Sequence, residues 1–232
     1  METGTVLQVL DGDTCRLQDS RAVRYLGIDA PEKGDPLSEE ATQVNNKLVG
    51  NREVRLEIGR PAKDTHGRVL AYIFVGNTFV NEELVRQGMA HVRRPVAAKY
   101  LDQLRKAQEE ARSAGRGIWA GVSNVLFAIE AVNATPAVKG AAGLTNEYVV
   151  IRNRGSQAVN MTGWSLLDEG NHRYLFPNFV LGAGAKVTVR TGFGMNTATN
   201  LYLGSRTAIW NDKGDAIFIK DAKGRLVLSH IY

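Results

Sequence analysis

Short runs of alternating apolar and polar residues fill the first part of the chain. Thr5–Leu10, Thr14–Gln18 and Arg21–Ile28 each have the two-residue period of a half-buried strand, with Asp-Gly and Asp-Ser pairs between them as turns. The period then lengthens. Ser38 is suited to cap a helix that runs to about Val49 and stops at Gly50. Two more strands, Glu53–Ile58 and Val69–Val75, enclose a polar, turn-rich loop from Gly59 to Arg68. Asn81 is placed to cap a brief helix, Glu82–Gln87, ended by Gly88. A longer helix follows over roughly Ala97–Ser113; Tyr100, Leu101, Leu104, Ala107 and Ala111 form its apolar face, and Gly115 stops it. Five strands, a helix between the third and fourth, and helices at the end predict an OB-type barrel.

After Trp119-Ala120-Gly121 no helical period persists. Strands are predicted at Val125–Val132, Glu147–Arg152, Gly163–Leu167, Tyr174–Phe176, Lys186–Arg190, Ala216–Lys220 and Leu226–Ser229, separated by Gly and Asn turns. So many short strands in so little chain predict a β-sandwich. Asn133–Gly143, rich in Ala, Gly and Pro, reads as a loop inside this second part. The expected organisation is mainly β with helices: a barrel over residues 1–120, then a sandwich over 125–232.

Composition narrows the classes. A hydrophobic content of 44% is ample for a core, and no apolar run approaches the roughly 18 residues of a membrane span. Met1-Glu2-Thr3-Gly4 has neither the basic nor the apolar region of a signal peptide, so none is expected. The single cysteine, Cys15, excludes an intrachain disulfide; it alternates with Leu17 and reads as core rather than as a reactive thiol. His66, His91, His172 and His230 lack zinc-ligand spacing. The net charge of +5 is compatible with a polyanionic partner. Residues 1–120 carry 18 Lys+Arg against 17 Asp+Glu, and residues 121–232 carry 11 against 7, so most of the excess lies in the second part. Ordinary surface charge and a nucleic-acid patch explain it equally well.

Three motifs carry the candidate chemistry: Asp11-Gly12-Asp13-Thr14, Arg24 through Glu32, and Asp64-Thr65-His66-Gly67-Arg68. They set acids able to serve a metal or a water, and arginines able to hold a phosphate, at strand ends and turns. With one hard cation, that is the inventory needed to cut a phosphodiester. Arginine is the apt phosphate holder because its planar fork binds two oxygens and stays charged. Singly, each residue has a plainer role. Asp11 and Gly12 are turn formers first, Asp13 or Asp29 a solvated turn acid, Arg24 a partner of Glu57, and Arg68 an exposed loop residue. The weight lies in the set.

The order and spacing of these motifs, with Gly67 through Ile73 and Asn81 through Gly88, resemble the thermonuclease, or staphylococcal nuclease-like, family over residues 3–120. The resemblance implies an OB-fold and a calcium-dependent nuclease that acts on DNA and RNA, single strands preferred, and leaves 3′-phosphorylated products. It implies Asp13 and Asp29 as metal carboxylates, the Ala30 carbonyl as a third ligand, Arg24 and Arg68 on the phosphate, and Glu32 as base or positioner of the attacking water. It also implies a secreted or cell-surface protein. Two departures bear on nucleotide preference: His66 stands where a tyrosine is expected, and Val92-Arg93-Arg94-Pro95-Val96 lacks tyrosines. Tyr100 is either their substitute or a core residue of its helix.

In the second part Glu147 through Asn153, Met161 through Leu166, Tyr174 through Pro177 and Ile209 through Asp215 resemble the lamin-tail domain. That implies an immunoglobulin-like sandwich, here without a disulfide, that binds or attaches and is not catalytic. Trp164 and Trp210 read as packing residues. Asp212 and Asp215 suggest a turn, with a calcium site as the alternative. Against the nuclease stand two rivals: a barrel that binds single strands without cutting, and an attachment protein whose nuclease is vestigial.

Overall fold

The computed structural model describes residues 2–94, 97–120, 127–134, 141–170, 172–212 and 214–232. Its contacts fall into two compact units, Met1–Ala120 and Gly121–Tyr232.

The first unit is built on β1 (Glu2–Asp11), β2 (Thr14–Leu17), β3 (Ala22–Tyr25), β5 (Glu53–Lys63) and β6 (Val69–Val75). They pair in the order β3-β2-β1-β5-β6, and β3 pairs again with β6, which closes a five-strand barrel. β7 (Thr78–Phe79) extends the sheet beyond β6. Alternation puts Val6, Cys15, Leu17, Val23, Val54 and Leu56 inside, fully buried. Cys15 is a free thiol pushed up to about 11 by burial, so it is a core residue as expected.

The predicted strand Arg21–Ile28 is broken at Leu26-Gly27, where Gly27 has φ 77°. Its tail, β4 (Ile28–Asp29), leaves the barrel and pairs with β8 (His91–Val92), an element too short to show a period. β5 runs five residues beyond the predicted end, into the segment expected as loop.

The helices are α1 (Ser38–Val49), α2 (Val80–Arg86) and α3 (Ala98–Ser113). Neither predicted cap acts as one: Leu37 and Phe79 occupy the cap positions, without side-chain bonds. Ser38 is simply the first helical residue. Asn81 instead turns inward, accepting from the Ile73 amide at 2.9 Å and donating to the Leu26 carbonyl at 2.8 Å, which ties α2 to the barrel. Tyr100 lies among Tyr72, Phe74 and Phe79 and donates to Glu57 at 2.8 Å, so its role is packing.

The second unit has two four-stranded sheets. β9 (Phe127–Asn133), β10 (Tyr148–Asn153), β15 (Lys186–Arg190) and β16 (Asn200–Tyr202) form one, in the order β16-β15-β10-β9. β12 (Ser165–Leu167), β13 (Arg173–Leu175), β17 (Ala216–Lys220) and β18 (Leu226–Ile231) form the other, in the order β13-β12-β17-β18. β11 (Val159–Asn160) pairs with β14 (Val180–Leu181). This is the immunoglobulin-like sandwich. Trp164 and Trp210 are buried in it, as packing residues should be. Asp215 accepts from the amides of Glu169, Asn211 and Ala216, which makes it a loop staple, the turn role. A short helix, α4 (Ala141–Asn146), begins within the stretch expected as loop. Residues 125–126 of the first predicted strand, 135–140 of that loop, and Pro95 and Val96 lie outside the described residues. Among the described residues no helix is long and apolar enough to cross a membrane.

Candidate active site

The turn between β1 and β2 is Gly12-Asp13, one place later than the Asp-Gly pair suggests, because Asp11 and Thr14 face each other across the ladder. Asp11 takes the Asp13 amide on Oδ1 at 3.0 Å and fixes the turn locally. Asn45 donates to the Asp11 carbonyl at 2.9 Å and accepts from the buried Tyr25 hydroxyl at 3.0 Å, so α1 holds the turn from beneath. Gly12 is needed for space rather than for a special φ. A Cβ there would stand 2.6 Å from the Ala30 Cβ and 2.8 Å from the Ala41 Cβ. Gly12→Ala is therefore expected to cost about 1–3 kcal/mol, as overpacking does, and to displace Asp13. Thermal melts together with calcium titration check both effects.

Asp13 is buried, and its Oδ2 accepts from the Ala30 amide at 2.7 Å while Oδ1 accepts from Thr14 at 3.1 Å. Arg24, on β3, reaches across with Nη2, 3.0 Å from Asp13 Oδ2 and 2.5 Å from Asp29 Oδ1. Its Nη1 is bonded to the Tyr25 and Ile28 carbonyls, at 2.7 and 2.8 Å. Glu57, the alternative partner, is held by Lys99 and Tyr100 instead. Burial pushes the Asp13 carboxyl up to about 7; Arg24 opposes this, neighbouring Asp11 and Asp29 add to it, and the Ala30 amide opposes it. Desolvation thus outweighs an ion pair at hydrogen-bond distance.

The β4–β8 ladder sets Asp29 opposite His91. Through it Arg93 comes within 2.9 Å of Asp29 Oδ2, and His91 Nε2 within 3.8 Å. Asp29 therefore meets one arginine on each oxygen. Neither His91 nor Arg93 was predicted here, and only the two-residue pairing brings them in.

Glu32 is exposed, three residues past Asp29, and its carboxylate meets no partner among the described residues. Arg68 stands just before β6. Leu70 pairs with Arg24, so Arg68 lies two residues further along the same face. Its guanidinium donates from Nε to Asp64 Oδ2 at 2.7 Å, and the amides of His66 and Arg68 both bond Asp64 Oδ1 at 2.9 Å. Burial raises the Asp64 carboxyl, but these bonds from Arg68 and His66 outweigh it and hold it below its usual range. Asp64 is thus the residue that orients Arg68. The structure brings Asp13, Arg24, Asp29 and Ala30 into direct contact, and leaves Glu32 and Arg68 outside that contact.

A calcium site would draw on Asp13, Asp29 and the Ala30 carbonyl. Calcium ligands lie at about 2.3–2.6 Å, so the two carboxylate oxygens must come close enough for one centre to bridge them. Both face one Arg24 nitrogen, Asp13 Oδ2 at 3.0 Å and Asp29 Oδ1 at 2.5 Å, so a cation bridging them would take the place of that nitrogen. The donors are hard oxygens, and the residues fit the ion. Among the described residues no three His, Cys, Asp or Glu side chains converge, so the third ligand would have to come from the backbone.

Known proteins resemble the chain in two parts. A sequence model described as staphylococcal nuclease homologue matches residues 22–121, and one described as lamin tail domain matches residues 126–232. The thermonuclease of Staphylococcus hyicus is 33% identical over 129 residues, covering 51% of this chain and 76% of that protein. That of Staphylococcus intermedius is 36% identical with the same coverage. Endonuclease YncB of Bacillus subtilis is 35% identical over 127 residues, covering 50% of this chain and 60% of that protein.

Proposed function

The chain belongs to the staphylococcal nuclease family of phosphodiester-hydrolysing enzymes, and on that premise we propose a calcium-dependent nuclease that cuts DNA and RNA to 3′-phosphorylated products, with single strands preferred. The observation that carries this is the bridge from Arg24 Nη2 to both Asp13 and Asp29, two acids converging on one positive centre. The bound ion supplies charge stabilisation to the phosphoryl oxygens.

The chain's own residues do the rest. Asp13 and Asp29 would hold the ion with the Ala30 carbonyl, and the Asp13–Ala30 hydrogen bond keeps the strand tail beside the turn. Arg68 grips phosphate oxygens with a planar fork that never loses its charge, and Arg24 joins it by turning its Nη2 from Asp13 and Asp29 to the phosphate when those acids are taken up by the ion. Glu32, exposed and unpartnered among the described residues, takes the proton of the attacking water or orients that water. A 3′-phosphate product requires water oxygen to bond to phosphorus, the P–O5′ bond to break, and the 5′ oxygen to leave protonated. The second unit attaches the enzyme to its substrate or to a surface.

Denatured DNA incubated with calcium should be cut, and excess chelator should stop the reaction. The new ends should accept label from polynucleotide kinase without prior phosphatase treatment, because they carry a 5′ hydroxyl. Undiminished cutting in excess chelator would reject the ion. Ends that need phosphatase first would reject the product assignment.

A further inference from the structure

The positive charge of the second unit is unevenly neutralised. Arg152 and Lys186 share Glu130, and Arg225 is paired with Asp221. Arg190 and Arg206 face no carboxylate among the described residues. Arg190 is nonetheless held in place. Its Nε donates to Asn200 Oδ1 at 3.0 Å, its Nη1 donates to the Thr145 carbonyl at 2.8 Å, and its guanidinium lies 5.5 Å from the Tyr148 ring centre. All three partners are neutral, and among the described residues Nη2 has no partner. A guanidinium preorganised by neutral acceptors keeps its full charge for an outside anion.

Arg190 lines a recess of about 450 Å³ with Asn146, Met195, Asn200 and Tyr202. Arg206 lines a second, of about 530 Å³, with Leu144 and Phe193. Thr145 belongs to both, so they adjoin. Two large apolar side chains stand in the open here, Phe193 at 59% exposure and Met195 at 85%. The Phe193 ring is backed by Gly204, where a Cβ would sit 3.5 Å from it. Unopposed guanidinium groups beside exposed apolar surfaces are the pairing that phosphates and unstacked bases require.

We propose that this double recess binds single-stranded nucleic acid, with phosphates on Arg190 and Arg206 and a base on Phe193. The choice of nucleic acid over other polyanions rests on the nuclease reading above, which makes it the enzyme's own substrate. A duplex keeps its bases inside and offers Phe193 nothing to stack on. The single strand is therefore the occupant.

The test measures binding of a labelled oligothymidylate to the full chain by fluorescence anisotropy, in excess chelator and with Glu32→Gln so that the strand is not consumed. Phe193→Ser should weaken binding about tenfold, the scale of one lost base stack. Arg190→Gln with Arg206→Gln should reduce the slope of log affinity against log salt by about 1.4, since each single-strand phosphate contact contributes about 0.7. Arg206 and Phe193 are exposed, so Arg206→Gln and Phe193→Ser serve as variants with little bearing on folding. Unchanged affinity and slope in folded variants would overturn the proposal. So would competition by polyglutamate or by duplex DNA as strong as that by oligothymidylate. Cleavage of a short phosphodiester by the chain with Glu32 intact tests the nuclease reading separately: it should be equal with and without the recess substitutions, and its absence would fail that reading without touching the binding result.

Discussion

Arg68→Ala is expected to slow turnover on the order of 10²–10³-fold, the usual loss when one partner of developing charge is removed, and to leave the melting temperature nearly unchanged. The Arg68 side chain is 35% exposed and its ion pair with Asp64 is a surface contact, worth about 0–1 kcal/mol. Glu32→Gln should behave alike, because its carboxylate supports no other described residue. Arg24→Ala should differ. Its guanidinium satisfies the Tyr25 and Ile28 carbonyls and separates two carboxylates, with only 15% of the side chain exposed. Breaking such a buried set costs about 3–5 kcal/mol, so rate and stability should fall together. Single-turnover cleavage at saturating calcium, set beside thermal melts, separates the three. Near-normal cleavage by folded Arg68→Ala or Glu32→Gln would remove those residues from the mechanism. Arg68→Lys keeps the charge but loses the fork, so partial activity there would separate charge from geometry.

What the sequence could show of this site was the part with strong local signals. Asp13 sits in a hairpin turn and Arg24 in an alternating strand, and both signals arise from chemistry within a few residues. The missing parts depend on distant neighbours. Asn45 occupies the same buried face of α1 as Ala41 and Val49. An amide at that spacing was itself the available signal that something polar lay beneath. Asn81 has the composition of a cap, yet its amide is spent on Leu26 and Ile73, because an inward amide that satisfies two buried backbone groups outweighs a cap at a helix start. β4 and β8 span two residues each, too short for any period, so the approach of Arg93 to Asp29 left no trace in the pattern. Gly59 and Pro61 disguised the far end of β5 as loop. In the second unit β11, β14 and β16 escaped for the reason β8 did.

Asp13→Asn should make the ion-free protein more stable at neutral pH while depriving it of activity. In the absence of an ion, burial raises this carboxyl from 3.8 to about 7. The folded chain then keeps a proton that the unfolded chain releases. The stabilisation is fully present below 3.8 and is lost as pH rises toward about 7, since the unfolded state binds fewer protons throughout that window. Asparagine has no proton to lose, so this dependence should vanish and the variant should exceed the natural chain above neutrality. Calcium should reverse the comparison. A ligand bound only by the folded state adds about 2.7 kcal/mol at a hundred times its dissociation constant, and the variant would lack one of the two carboxylates proposed to hold it. Urea unfolding in chelator and in calcium, at about pH 5 and about pH 8, measures both halves on either side of the shifted carboxyl. A variant less stable than the natural chain in chelator at the higher pH would mean that Asp13 is ionised and that its pair with Arg24 outweighs burial. If the ranking inverts on adding calcium, the buried acid is a charge that the fold tolerates for the cation it receives.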